Sequence, residues 1–322
     1  MTDIPIPAAD QEIEPNGLVV LVEPGDRIHF LDWGAPSRPT PGPGILLIHG
    51  LSNTAWSWAP VARRLCAVRR TVAMDLRGHG LSDAPTDGYD ADTLTADVVA
   101  VAEGSGLLQW GQGRGHRNAV VLVGHGFGAI VAAWAAERLA ERCAGLVLVD
   151  GGFEDYRAGT GLEPDEFVRG LDEPPEVLRT LDAYLADRRD FDPTTWDADQ
   201  DRAARATVVE TAAGRVVPTT RPHVVAACVE AMFEYKPLET LPRVSAPISV
   251  LAAAENEEGT RRTALAAAGD AVRQAGRAPF HVESFPSDGH NLPRYRPDEV
   301  TRTILAALPA ADDPQPAHVV GD

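Results

Sequence analysis

Ile45-Leu46-Leu47-Ile48 is a fully apolar run of strand length, bounded by the Pro/Gly-rich loop 35–44 on one side and His49-Gly50 on the other. A strand with one face in water alternates apolar and polar residues, so an unbroken run calls for burial on both faces. Similar short runs, some with a polar residue, recur at Thr71 to Met74, Ala119 to Val123, Gly145 to Val149, Ile248 to Leu251 and Phe280 to Glu283. Between most of them lie helical stretches such as Ala129 to Leu139, whose small residues permit close approach to a sheet. That alternation predicts an α/β fold with a mostly parallel, doubly wound sheet. At 322 residues and 44% hydrophobic, the chain can bury one large core. Ahead of the first buried run, Leu18 to Val22 and Arg27 to Asp32 flank Glu23-Pro24-Gly25-Asp26, which reads as a hairpin.

The segment from about Gly152 to Lys236 breaks the rhythm. It shows no clear strand run, and helical period dominates at Asp165 to Leu171, Pro175 to Arg188, Ala198 to Ala213 and His223 to Tyr235. The expected organisation is therefore an N-terminal arm over 1–15, a core made of 16–151 and 237–309, and an inserted helical cap over 152–236. A proline-rich flexible tail over 310–322 completes it. The cap should lie over the carboxyl ends of the strands, where open α/β sheets bind ligands.

A net charge of −18 with Lys236 as the single lysine repels a phosphate backbone, which argues against a nucleic-acid partner. Cys66, Cys143 and Cys228 are odd in number and far apart, and they read as reduced core thiols. No charged leader precedes an apolar stretch and no run has membrane-spanning length, so a cytoplasmic protein without membrane contact is the expectation. No His/Cys/Asp/Glu set has ligand spacing on one element, so neither a metal nor a cofactor is expected. The expected partner is a small-molecule substrate; oligomeric state stays open.

Three punctuated segments, each after an expected strand, narrow the chemistry. They are His49-Gly50-Leu51-Ser52, Asp75-Leu76-Arg77-Gly78-His79-Gly80-Leu81-Ser82 and Gly124-His125-Gly126-Phe127-Gly128. The last runs from the strand Val120 to Val123 into the helix Ala129 to Leu139, and strand, sharp turn and helix is the context of a nucleophile elbow. A dinucleotide fingerprint is the competing reading, but its glycine spacing differs and its place is the first βα turn. Together the segments resemble the α/β-hydrolase superfamily, in its esterase- or lactonase-like form with a helical lid. The resemblance implies that residue 126 is the nucleophile position, that the backbone N–H groups of Leu51 and Phe127 form an oxyanion hole, and that His290 in Asp288-Gly289-His290-Asn291 is the base. It places His49, Gly50, His125 and Trp56 around the substrate, with His125 as an orienting or packing residue and not the base. Trp56 either lines the pocket or packs the following helix. His79 reads as a hydrogen-bonded turn residue. The acid is open: Asp150 closes the strand Gly145 to Val149, Glu255 stands near the family's usual loop position, and Asn256 aligns with the usual Asp.

The departure from the family is glycine at position 126, which has no side chain to attack with. The intact surroundings read as a serine-type hydrolase of an ester, lactone or thioester of a small apolar carbonyl compound, inactivated by a Ser-to-Gly change. Two alternatives stand beside it. One is a natural small-molecule binder, or a cofactor-free enzyme working through His290. The other is an Asp-nucleophile epoxide hydrolase or dehalogenase, which Ser52 disfavours because that class generally has proline there.

Overall fold

The computed structural model describes residues 6–9, 13–36, 42–108, 118–171, 180–253 and 259–309. Its strands are β1 (Asn16–Val22), β2 (Asp26–Asp32), β3 (Gly44–Ile48), β4 (Thr71–Met74), β5 (Val120–His125), β6 (Cys143–Val149), β7 (Val208–Glu210), β8 (Val216–Pro218), β9 (Ile248–Ala253) and β10 (His281–Phe285). Eight of these form one sheet in the order β1-β2-β4-β3-β5-β6-β9-β10. β1 and β2 are antiparallel to each other, β2 is antiparallel to β4, and the rest run parallel. The mostly parallel, doubly wound α/β sheet expected from the buried runs is observed, in the α/β-hydrolase fold that the resemblance implies.

The unbroken apolar runs are explained by two cores, one on each face of the sheet. Leu46, Ile48, Leu122, Leu146 and Leu148 point into one. Ile45, Leu47, Val121, Val123, Val147 and Val149 point into the other. Successive side chains leave a strand on opposite faces, so a strand covered on both sides must be apolar throughout. The helices α1 (Ala59–Leu65), α2 (Ala91–Gly104) and α3 (Phe127–Leu139) precede the insert. Within it lie α4 (Tyr156–Thr160), α5 (Pro164–Leu171), α6 (Leu181–Phe191), α7 (Ala198–Ala206) and α8 (Pro222–Glu234). After it come α9 (Pro237–Thr240), α10 (Thr260–Gln274), α11 (Leu292–Tyr295) and α12 (Pro297–Ala306). The α1 and α12 helices cover one face; α2, α3 and α10 cover the other. No helix among the described residues is long and apolar enough to cross a membrane.

Two expectations need correction in the insert. The helix expected over Ala198 to Ala213 stops at Ala206, and β7 and β8 form an antiparallel hairpin that the sequence reading did not contain. The β-branched pairs Val208-Val209 and Val216-Val217 favour extended backbone, and Gly214 at φ 70° turns the chain between them. Helix α6 begins at Leu181, capped by the Thr180 hydroxyl accepting the Ala183 N–H at 3.3 Å. Its expected start at Pro175 lies outside the described residues, as does the tail 310–322.

The two ends of the segment 152–236 are joined by the Tyr235 hydroxyl, which donates to the Gly152 carbonyl at 2.8 Å, and the segment meets α11 where Arg294 donates to Thr195 Oγ1 at 2.7 Å and to the Asp192 carbonyl at 2.8 Å. Residues of the expected N-terminal arm take part as well. Glu14 pairs with Arg202 of α7 at 2.7 Å, and the Ile13 carbonyl accepts from Arg63.

One motif residue carries a buried ion pair. Arg77 grips Asp97 of α2 through two hydrogen bonds of 2.6 and 2.8 Å, both side chains almost fully buried. Desolvation alone would push the arginine down, but the Asp97 carboxylate more than offsets this and holds it above its ordinary value. Removing Asp97 leaves the buried guanidinium with only the more distant Asp26 carboxylate, 3.6 Å away. Asp97→Ala is therefore expected to cost about 3–5 kcal/mol in urea unfolding at neutral pH. A loss under about 1 kcal/mol would mean that water reaches Arg77 freely.

Candidate active site

Strand β5 ends on His125, and the chain turns at Gly126 with φ 54° and ψ −117° before entering α3 at Phe127. An L side chain rarely adopts that conformation, and a residue held there is strained by its surroundings. The turn is locked from below: Gly126 N–H donates to the Val149 carbonyl at 3.0 Å, and its own carbonyl accepts from Ala129 at 3.0 Å. A Cβ on Gly128 would collide with the His49 carbonyl, so close approach to the loop after β3 requires glycine there.

His290 reaches this turn from the loop between β10 and α11. A Cβ built on Gly126 would lie 3.0 Å from His290 Nε2 and 3.8 Å from the Gly50 Cα. The other ring nitrogen, Nδ1, stands 2.5 Å from Asp150 Oδ2. Asp150 closes β6 at φ 47°, and its side chain is wholly buried, whereas that of His290 is 58% exposed. The second carboxylate oxygen, Oδ1, accepts the Ala253 N–H at 2.7 Å and faces Arg261 Nη2 at 2.9 Å. Burial alone would raise the Asp150 pKa. The hydrogen bond from His290 and the charge of Arg261 more than offset it and hold the carboxyl below its ordinary value.

The structure thus brings residue 126, His290 and Asp150 together. Glu255 and Asn256, the other acid candidates, lie outside the described residues. Leu51 and Phe127 flank the turn, and among the described residues neither backbone N–H has a hydrogen-bond partner. Phe127 opens α3, whose first N–H groups have no partner within the helix.

Of the residues expected around the substrate, His49 is sealed off, His125 takes the orienting role, and Trp56 takes the packing one of its two expected roles. His49 is wholly buried: its Nδ1–H donates to the Gly50 carbonyl at 2.8 Å and its Nε2 accepts the Leu76 N–H at 3.0 Å. With both nitrogens engaged by backbone it supports the loop and cannot touch a ligand. His125 is 3% exposed, stacks on His290 with ring centroids 4.5 Å apart, and donates from Nε2 to the His290 carbonyl at 2.9 Å. It orients the histidine loop. Trp56 packs edge-on to Trp33 at 5.8 Å, with the Arg202 guanidinium 4.0 Å above its ring, so it joins α7 to the core. Gly50 remains at the site, beside residue 126.

Sequence reasoning missed how the second motif serves the first. His79 Nε2 accepts the Ser52 N–H at 3.1 Å, and Nδ1 donates to the Arg77 carbonyl at 3.0 Å. Asp75 accepts Ala55 N–H at 2.7 Å, Leu81 N–H at 3.0 Å and His29 Nδ1 at 2.8 Å. Together they tie down the loop from Gly50 to Ala55 while leaving the Leu51 N–H free. Arg261 was missed altogether, since Arg261-Arg262 opens a helix with nothing in its sequence to separate a partner of Asp150 from a solvated side chain.

Burial pushes both His79 and His125 down to about 3, helped by neighbouring His49 and His290 respectively. An unfolded histidine titrates near 6.5. Between those values the unfolded chain binds protons that the folded chain refuses, so the stabilisation is complete above about 6.5 and is lost as pH falls toward 3. The melting temperature should therefore fall between pH 7 and pH 5, above the range where ordinary carboxylates titrate. His79→Gln, which keeps one acceptor and one donor, should flatten that slope; an unchanged slope would show that His79 takes up its proton in the folded state.

Comparison with known proteins bears on the family and the fold. The sequence model of the Alpha/beta hydrolase family matches residues 45–303. The 2-(acetamidomethylene)succinate hydrolase of Mesorhizobium japonicum is 33% identical over 148 residues, 46% of this chain and 49% of that protein. N-formylmaleamate deformylase of Pseudomonas putida is 35% identical over 127 residues, 39% of this chain and 42% of that protein. These alignments span about half or less of either relative's length. Epoxide hydrolase 3 of Xenopus tropicalis is 27% identical over 300 residues, 90% of this chain and 76% of that protein. The crystal structure of an E-2-(acetamidomethylene)succinate hydrolase superposes with a TM-score of 0.71 at 20% identity, covering 91% of this chain and 98% of that one. These three relatives are named as hydrolases or as a deformylase, and the chain belongs to the alpha/beta hydrolase family.

Proposed function

We infer that residue 126, His290 and Asp150 are the three positions of an acyl-transfer triad, serving serine-type hydrolysis of an ester, lactone or thioester of a small apolar carbonyl compound. The glycine leaves the chain able to bind such a compound but hardly able to turn it over. One observation carries the reading: a Cβ at 126 points at His290 Nε2 from 3.0 Å, while Nδ1 is engaged by Asp150. A hydroxyl on that carbon would lie within hydrogen-bonding range of the imidazole. It would attack the carbonyl, His290 would take the proton and return it to the leaving group, and the Leu51 and Phe127 N–H groups would stabilise the oxyanion. Two relatives named as a hydrolase of a succinate derivative and as a deformylase support chemistry at a carbonyl. Gly126→Ser, assayed on activated esters and lactones, tests it.

A second reading has its own support. The epoxide hydrolase match spans 90% of this chain, and in that class the nucleophile is an aspartate. Gly126→Asp gaining epoxide or haloalkane hydrolysis, with Gly126→Ser silent, would decide for it. Tight ligand binding with neither variant active would leave a binding protein.

A further inference from the structure

We propose that Arg261 is a positioning residue for the Asp150–His290 pair, holding the carboxylate so that Oδ2 faces the imidazole and sharing the carboxylate's charge with it. The proposal rests on reading that pair as the working acid and base.

Asp150 sits at the end of β6 with φ 47°, a backbone conformation that does not by itself direct its side chain toward His290. Orientation comes from the far side of the carboxylate. Oδ1 is fixed by the Ala253 N–H at 2.7 Å and by Arg261 Nη2 at 2.9 Å, which leaves Oδ2 aimed at His290 Nδ1, 2.5 Å away. Arg261 is itself held in place. Its Nε and Nη2 donate to the two Glu154 oxygens at 2.9 and 3.0 Å, its Nη1 donates to the Ala253 carbonyl at 2.8 Å, and its guanidinium lies 5.4 Å from the Phe153 ring centre. So Arg261 bridges the chain just after β6, which carries Asp150 and Glu154, and the end of β9 at Ala253.

The electrostatic consequence follows from counting charges near the imidazole. Asp150 faces it from β6 and neutral His125 faces it from β5; behind Asp150 stand Arg261 of α10 and Glu154. In the histidine's own loop Asp288 is paired with Arg296 at 3.0 and 3.1 Å. An unshared aspartate would favour the imidazolium strongly. A guanidinium on the opposite oxygen offsets part of the carboxylate charge that the imidazole faces.

The test uses the chain as it stands, labelled with ¹⁵N-histidine, and reads the titration midpoint of the His290 ring nitrogens. Assignment comes from His290→Gln. Arg261→Gln should raise the midpoint by about one pH unit, because Asp150 then acts on the imidazole alone. Arg261→Lys keeps the charge and should move it much less. Glu154→Gln removes a negative charge from the same cluster and should move it downward. In the Gly126→Ser protein the acidic limb of the pH–rate profile should follow the same three directions. Lowered melting temperatures with all midpoints unmoved would overturn the proposal and leave Arg261 as a structural anchor. If Arg261→Gln does not fold, the absence of a downward shift in Glu154→Gln overturns it equally. Inactive Gly126→Ser with the midpoints shifted as stated would strike the hydrolysis reading and leave this one standing.

Discussion

Gly126→Ser is expected to raise hydrolysis of activated esters and lactones by about 10⁴-fold or more over the chain as it stands, roughly 5 kcal/mol of barrier. Loss of the nucleophile from such a triad costs up to about 10⁶ in turnover, because the base and oxyanion donors act only on a bond that the nucleophile begins to form. Two structural details set what the variant must absorb. The ideal Cβ lies 3.0 Å from His290 Nε2, so the imidazole must give by a few tenths of an ångström. It can, because its side chain is 58% exposed and it sits in a loop. The backbone at φ 54° suits glycine and strains any other residue, so the same substitution should lower stability by about 1–3 kcal/mol while activity rises. Opposite signs for stability and rate are a signature that a general improvement in folding would not produce. A well-folded Gly126→Ser protein still at background on a broad panel of carbonyl substrates would remove the triad reading.

In that Gly126→Ser protein, Asp150→Asn should reduce kcat by about 10⁴-fold, and the geometry says why the loss is so large. Ala253 N–H and Arg261 both donate to the Oδ1 side of residue 150. An asparagine must place its carbonyl oxygen toward those donors, which turns its NH₂ toward His290 Nδ1. The imidazole then carries its proton on Nε2, where the base needs a lone pair. Glu255→Gln, by contrast, should leave kcat within about threefold, since Asp150 already engages Nδ1 at 2.5 Å. The reverse pattern, with Asp150→Asn mild and Glu255→Gln severe, would move the acid to the loop after β9.

The two substitutions also separate what each part of the site contributes. A serine without the Asp150 carboxylate would retain the oxyanion donors and binding, and so some rate above water. Residual activity in the double variant, abolished further by His290→Gln, would apportion the work between the imidazole and the backbone donors around Leu51 and Phe127.

Much of the framework could be read from residue order because its causes are local. Four large aliphatic residues in a row, bounded by a Pro/Gly-rich loop and His49-Gly50, suit a short strand covered on both faces, and Ile45 to Ile48 alternates between the two cores. The turn at 126 was likewise visible, since a buried strand, spaced glycines and a small-residue helix follow one another without a gap. What sequence could not settle lies between residues far apart in the chain. Asp150 and His290 are separated by 140 positions, and their meeting depends on how the end of β6 and the loop after β10 lie across the fold. The burial of His49, the joining of Trp56 to α7 and the grip of Arg261 on Asp150 are of the same kind: each is a distance across the fold, and no local preference encodes it. The β7–β8 hairpin escaped for a related reason, because a three-residue strand forms only when its partner is present, and neither Val208–Glu210 nor Val216–Pro218 is long enough to announce itself alone. The sequence by itself determined the sheet, its two apolar faces and the corner at Gly126; the tertiary structure alone decided which charges meet there, because electrostatic partners are chosen by proximity and desolvation, and both exist only once the chain is packed.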